Sequence, residues 1–230
     1  MSITIAFYMN RKFAQVEPSM IAADWARFGD EAFLCAKAGI KIIHLDVMDG
    51  LFVPNLSMGP DMVLAIKKSC RDLILDVHLM IYSPDRFIET FAESGADEIT
   101  FHFEATEDIE YVKNYIKKCN KKVGIAIKPE TSETLLVKYL DNVDKILIMT
   151  VEPGFGGRKF LPDMLKKVRF LRSIGFNGDI QVDGGIDLKS GEESILAGAN
   201  RLVSGTYFFN QSDRAMTVRQ FNILCEKFVQ

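Results

Sequence analysis

The stretch Ala38-Gly39-Ile40-Lys41-Ile42-Ile43-His44-Leu45-Asp46-Val47-Met48-Asp49-Gly50 decides how this chain reads as a fold. Gly39 follows a helical pattern and stands shortly before a strand, as a C-cap glycine should. The short β-rich run from Lys41 to Asp46 reads as the strand, and it ends in polar residues. Side chains two apart on a strand share a face, so His44, Asp46 and Met48 can point the same way. Burying an imidazole and a carboxylate among apolar neighbours is costly unless they find partners. Taken alone, this tripeptide is read equally well as a satisfied core histidine hydrogen-bonded to an aspartate.

Working outward, the same alternation recurs eight times. The strand candidates are Phe13–Val16, Lys41–Asp46, Leu73–His78, Glu98–Phe103, Val123–Ile127, Lys145–Thr150, Asp179–Asp183 and Arg201–Ser204. Helices are expected at Trp25–Ala38, Asp61–Cys70, Pro84–Ser94, Glu107–Lys118, Ser132–Leu140, Pro162–Ser173, Leu188–Ala197 and Asp213–Val229. Pro84 and Pro162 suit helix starts, while Gly39, Gly95, Gly175 and Gly198 suit helix ends. Ala-Gly-Ile at 38–40, Gly-Ala-Asp at 95–97 and Gly-Ala-Asn at 198–200 form a weak internal repeat. The pattern predicts an α/β protein, a single-domain (β/α)8 TIM barrel over residues 13–230, preceded by an N-terminal extension (1–12) of unassigned role. An open doubly wound sheet is the alternative. The polar residues favour the barrel, because Ser19, Asp46, His78, His102, Lys128, Thr150, Asp183 and Gly205 stand at or just past strand C-terminal ends, where barrel enzymes gather their chemistry.

The 230 residues suit one such domain, and with 48% of them hydrophobic a substantial core can form. Net charge is −3 and is not gathered into blocks, which argues against a nucleic-acid or anionic-membrane surface. Cys35, Cys70, Cys119 and Cys225 are far apart and form no CxxC pair, as in a reducing compartment. No apolar run approaches the roughly 18 residues that span a bilayer, and residues 1–15 do not read as a signal peptide. A soluble cytoplasmic protein is expected.

The next strand repeats the first motif, with Asp76, His78 and Met80 on one face, and strand seven ends in Gln181-Val182-Asp183-Gly184-Gly185. His44, Asp46, His78 and Asp183 together offer a four-ligand N/O site for one divalent metal ion, zinc first and iron, manganese or cobalt behind it. Asp183 alone could equally be a turn residue before two glycines. Asp46 and Asp183 also suit proton chemistry beside a ketone, one carboxylate removing a proton and the other returning it from the opposite side. Gly154-Phe155-Gly156-Gly157, Gly184-Gly185 and Gly205-Thr206 follow strands six, seven and eight, where such barrels hold phosphate on backbone amides. Met48, Met80 and Met149 stand around the same mouth and would line the reacting carbons, although methionine more often fills core gaps. His102 and Glu104 are expected to support the site or the fold from outside the ligand set.

The sequence resembles the ribulose-phosphate 3-epimerase family from about Val16 to Phe209. The carrying segments are Glu17-Pro18-Ser19-Met20 with Ala22-Ala23-Asp24, His44-Leu45-Asp46-Val47-Met48-Asp49-Gly50 with Phe52-Val53-Pro54-Asn55, and Asp76-Val77-His78-Leu79-Met80. Val151-Glu152-Pro153-Gly154-Phe155-Gly156-Gly157, Val182-Asp183-Gly184-Gly185-Ile186 and Ser204-Gly205-Thr206 continue the series. The resemblance implies interconversion of D-ribulose 5-phosphate and D-xylulose 5-phosphate, in the pentose phosphate pathway, by a homo-oligomer (dimer or hexamer). It further implies Asp46 and Asp183 as the acid/base pair and Ser19 and His78 as substrate contacts. The phosphate pocket would be lined by Gly154, Phe155, Gly156, Gly157, Gly184, Gly185, Gly205 and Thr206. Glu152, Arg158, Lys128 and the Thr206-Tyr207-Phe208 run depart from the family pattern and bear on which sugar is used. Allulose-6-phosphate 3-epimerases share the ligand set and are the nearest rival. A decarboxylase on the same barrel would carry an Asp-x-Lys-x-x-Asp array, and here Met48 stands where its lysine would be. A non-catalytic phosphosugar-binding barrel is the remaining alternative.

Overall fold

A computed structural model describes residues 14–227. The segment 1–12, the expected strand start at Phe13 and the expected helix end at Val229 lie outside the described residues. Eight parallel strands form one sheet: β1 Gln15–Pro18, β2 Ile42–Met48, β3 Ile74–Met80, β4 Glu98–His102, β5 Lys122–Ile127, β6 Lys145–Met149, β7 Asp179–Asp183 and β8 Arg201–Ser204. From β2 to β8 each strand pairs with the next, β8 pairs with β1, and a parallel bridge between Ser19 and His44 brings β1 against β2. The sheet is thus a (β/α)8 barrel, as the alternation predicts, and its seam closes at the histidine of the quoted stretch.

The helices are α1 Phe28–Lys37, α2 Pro60–Ser69, α3 Ile88–Glu93, α4 Ile109–Lys118, α5 Leu165–Ser173, α6 Leu188–Ala197, α7 Thr206–Phe209 and α8 Arg214–Glu226. The four expected C-cap glycines, Gly39, Gly95, Gly175 and Gly198, all have positive φ, the conformation that ends a helix at little steric cost. Pro84 and Pro162 open 3₁₀ turns that lead into α3 and α5. One expectation is modified. The segment read as a helix over Ser132–Leu140 is a 3₁₀ helix, Glu133–Tyr139. Three residues per turn place Glu133, Leu136 and Tyr139 in one stripe, and Leu136 is the buried residue of that stripe. A narrow apolar stripe gives an α-helix little to pack with.

Alternation along the strands divides the barrel into two environments. Ile43, Leu45 and Val47, with Leu75, Val77 and Leu79 and their counterparts on the other strands, join the apolar cluster shared with the helices. The alternate residues point inward, and the inner layer is charged. Glu17, Asp76, Glu98, Lys145, Gln181 and Arg201 are all buried. Arg201 pairs with Glu17 and, at 2.5 Å, with Glu98. Lys145 pairs with Asp76 and lies 3.4 Å from Glu98. The Gln181 amide donates to Glu17 at 2.6 Å and to Asp76 at 2.7 Å. Buried charge is tolerable only when paired in this way, and this layer forms the floor on which the next one rests.

Candidate active site

Above the charged floor, at the C-terminal ends of the strands, the four expected ligands come together. His44 and Asp46 project from β2 and His78 from β3, with Asp46 directly opposite His78 in the register. Asp183 is the last residue of β7. His44 Nε2 lies 3.3 Å from Asp46 Oδ1 and 4.0 Å from Asp183 Oδ2. His78 Nδ1 lies 3.2 Å from Asp46 Oδ1, 3.9 Å from Asp183 Oδ2 and 3.3 Å from His44 Nε2. Tetrahedral bonds of roughly 2.0–2.2 Å set ligand atoms about 3.3–3.6 Å apart. Two imidazoles and two carboxylates within 4.8 Å of one another therefore fit a divalent cation in both spacing and chemistry.

The ligands are held from behind. His44 Nδ1 donates to Asp76 Oδ2 at 2.9 Å, which turns Nε2 toward the cluster. The Ser19 hydroxyl donates to Asp46 Oδ2 at 2.6 Å, leaving Oδ1 beside the histidines. His78 Nε2 lies 2.9 Å from His102 Nε2, and His102 Nδ1 lies 3.1 Å from Glu104 Oε2. All three histidines of the chain thus belong to one chain of contacts.

Electrostatics separate the two aspartates. Burial, reinforced by the charge of Asp46, pushes the Asp183 carboxyl up to about 7. Asp46 is also buried, yet His44 and His78 hold its carboxyl well below the usual range. Burial keeps His78 neutral, lowering it to about 3. His44 moves the other way, because Asp46 and Asp76 outweigh burial and hold it well above its ordinary value.

A cavity of about 230 Å³ opens onto Asp46 and Asp183. Ser19, the three methionines and all eight expected residues of the phosphate pocket line it: Met48, Met80 and Met149, and Gly154, Phe155, Gly156, Gly157, Gly184, Gly185, Gly205 and Thr206. The methionines are buried. Two of the glycines cannot be replaced without movement. A Cβ on Gly184 (φ +122°) would fall 2.4 Å from Val151, and one on Gly185 (φ +67°) 2.5 Å from the Phe160 amide nitrogen. Gly205 caps the short α7, whose first amides have no intrahelical acceptor. Amides of this kind at a helix start favour an anion.

Of the positions expected to bear on the choice of sugar, Arg158, Thr206 and Tyr207 line the cavity. The Lys128 ammonium sits 4.1 Å from the Phe52 ring centroid. Glu152 is exposed and Phe208 is buried in the core. Sequence reasoning assigns no role to Asp76, although its place two residues before His78 puts it on the same face. Nor does it find Asp49, whose carboxylate accepts from the amides of Leu51, Phe52 and Tyr82 at 2.8–2.9 Å. Asp49 thereby ties the loop after β2 to the loop after β3, and Asn55 extends the tie by donating to the Gly154 carbonyl at 2.7 Å.

Fold and site together define a (β/α)8 barrel with a candidate divalent-metal cluster beside a glycine-lined cavity. Residues 15–209 match the ribulose-phosphate 3 epimerase family. A ribulose-phosphate 3-epimerase from Chlamydia muridarum is 44% identical over 209 residues, covering 88% of this chain and 91% of the relative. One from Bacillus subtilis is 40% identical over 211 residues, covering 90% and 97%. The chain belongs to the ribulose-phosphate 3-epimerase family. The barrel also superimposes on a 3-keto-L-gulonate-6-phosphate decarboxylase from Vibrio cholerae, with a TM-score of 0.72 at 14% identity over 94% of this chain and 99% of that one. That likeness concerns the fold alone. Among the described residues, no helix is long and apolar enough to cross a membrane.

Proposed function

We propose that the protein inverts C3 of a phosphorylated ketose, interconverting D-ribulose 5-phosphate and D-xylulose 5-phosphate through an enediolate. The observation that carries this reading is the placing of Asp46 and Asp183 on one cavity, from β2 and β7, which β8 and β1 separate. His44, Asp46, His78 and Asp183 would hold the cation, with zinc proposed first and iron, manganese or cobalt behind it. When bound, a divalent cation supplies positive charge against the anion left when a carbon loses its proton.

The remaining work falls to the side chains. One of the two aspartates takes the C3 proton, and the other delivers a proton to the opposite face of the planar carbon, so the centre inverts. Ser19 steadies Asp46 through its hydroxyl. The apolar ends of Met48, Met80 and Met149 keep water from the reacting carbons, which strengthens every charge interaction there. The glycine loops and Thr206 hold the phosphate, so the sugar is oriented before any proton moves. The family resemblance extends the proposal to a cytoplasmic homo-oligomer, dimer or hexamer, with residues 13–230 as the catalytic barrel.

The test is exchange of the C3 hydrogen of ribulose 5-phosphate with solvent deuterium, followed by NMR. Exchange should stop on removing metal and return with zinc, cobalt, iron or manganese. Full activity in a chelator, or retained epimerisation in Asp183→Asn, would overturn the mechanism. Because Arg158 and Tyr207 give this cavity lining residues of its own, allulose 6-phosphate run in parallel decides which sugar is preferred.

A further inference from the structure

His78 meets the ligand cluster through Nδ1, so the state of that nitrogen decides whether it can bind a cation. His78 Nε2 and His102 Nε2 lie 2.9 Å apart, so one of the two nitrogens donates and the other accepts. A neutral imidazole has one N–H donor and one lone-pair acceptor, so a contact between two such rings has a direction. Something must choose it. At the far end of the contact, Glu104 Oε2 lies 3.1 Å from His102 Nδ1. The other carboxylate oxygen is already engaged, accepting from the Lys128 amide at 2.8 Å and from the Thr131 hydroxyl. That loop is itself fixed. The Lys167 ammonium donates to the carbonyls of Lys128, Pro129 and Thr131 at 3.0, 2.8 and 2.6 Å.

We propose that Glu104, acting through His102, selects the tautomer of His78 whose Nδ1 carries a lone pair, and is thus a positioning residue for the metal site. His78 Nδ1 has two partners, His44 Nε2 at 3.3 Å as a donor and Asp46 Oδ1 at 3.2 Å as an acceptor, and the Glu104 end of the contact chooses between them. An ionised carboxylate only accepts, so His102 carries its hydrogen on Nδ1. His102 Nε2 is then an acceptor, 2.9 Å from His78 Nε2. His78 must therefore carry its hydrogen on Nε2, and Nδ1 is left to face His44 and Asp46 as a lone pair. His44 is oriented by a shorter route, donating from Nδ1 straight to Asp76, so that Nε2 is the nitrogen turned toward the cluster. This inference rests on reading His78 as a metal ligand and is independent of which sugar is turned over.

Glu104→Gln is the discriminating variant, because it keeps the shape and reverses the hydrogen-bond order. Its amide oxygen must stay with the Lys128 N–H, which presents its amide N–H to His102 Nδ1. His102 then has to carry its hydrogen on Nε2, and His78 must accept there and carry its own on Nδ1, facing the ligand cluster. In ¹⁵N-detected spectra of metal-stripped parent protein, simplified by the three histidines of the chain, His78 should be protonated at Nε2. In Glu104→Gln it should be protonated at Nδ1, and zinc affinity measured against a competing chelator should fall about 10–100-fold. Thr131→Val, which removes one donor from the same carboxylate, should bind zinc as the parent does.

A parent His78 protonated at Nδ1, or Glu104→Gln binding zinc within about twofold of the parent, would overturn the proposal. The parent spectrum tests the tautomer even if the variant does not fold. Neither measurement uses substrate. A chain that binds zinc in this Glu104-dependent way and yet leaves ribulose 5-phosphate untouched would refute the epimerase reading and leave the relay standing. A parent that binds no zinc would overturn the relay, whatever the exchange assay gives.

Discussion

Zinc affinity should rise with pH in two distinguishable steps. In metal-stripped protein, Asp46 and Asp76 favour the charged form of His44, so a cation competes with a proton for Nε2. Asp183, pushed up to about 7 by burial and by Asp46, holds a second proton below that pH. The sign follows directly. Protons compete with the cation, and more are bound at low pH, so affinity falls as pH falls. As pH falls through neutrality, Asp183 adds about one proton to those released per cation bound. Between pH 8 and pH 6, Asp183 contributes about a tenfold loss, and the proton competing at His44 adds to it in the same direction. Calorimetric titration in two buffers of different ionisation enthalpy counts the protons at each pH. In Asp183→Asn the break near neutrality should disappear while the competition at His44 remains. An affinity independent of pH, or an unchanged break in Asp183→Asn, would refute the assignment of these two groups.

Asp183→Asn should also stabilise the metal-stripped fold. A carboxyl raised from 3.8 to about 7 makes the native state bind the extra proton, so its ionisation costs stability as pH rises through that range. The side chain is 15% exposed, and the gain in urea melts at pH 8 should be on the order of 1–3 kcal/mol, shrinking toward pH 5. A loss at pH 8 would count against the shift. Gly185→Ala should raise KM for the phosphorylated substrate about tenfold or more with a smaller effect on kcat, because the new Cβ displaces the Phe160 backbone under the cradle. An unchanged KM would place the phosphate elsewhere.

How much of this is legible in the sequence depends on how far apart the interacting residues lie. His44 and Asp46, or Asp76 and His78, are two apart, and strand alternation puts each pair on one face. Helix punctuation is similarly local, which is why Gly39 and Gly198 read as caps. β2 and β3 nevertheless run on to Met48 and Met80, beyond the expected ends at Asp46 and His78, because those methionines are still paired across the two strands. The charged floor is not legible. Arg201 and Glu17 are 184 residues apart and Arg201 and Glu98 are 103 apart, and no periodicity links such positions. The 3₁₀ stretch Glu133–Tyr139 reads as an ordinary helix because its narrow stripe leaves only a weak pattern. His102 and Glu104 take the supporting place their position suggests, but the direction of their hydrogen bonds follows only from the contacts of the loop at 128–131.

The charged floor also explains why the barrel interior is not simply apolar. Buried ion pairs are poor stabilisers compared with well-packed hydrophobic side chains, so stability alone does not account for five charged residues here. The requirement starts at His44, whose orientation needs a carboxylate behind it. Asp76 supplies that carboxylate, and its own burial calls for Lys145 and Gln181. Lys145 is near Glu98, Glu98 pairs with Arg201, and Arg201 pairs with Glu17. Each group answers the charge left by the one above it. The carboxylates of the barrel centre thereby divide into two sets. Asp46 and Asp183 face the cavity. Asp76 and Glu104 face away from it, one directly and one through His102, and each fixes which nitrogen of a histidine is turned toward the other two aspartates.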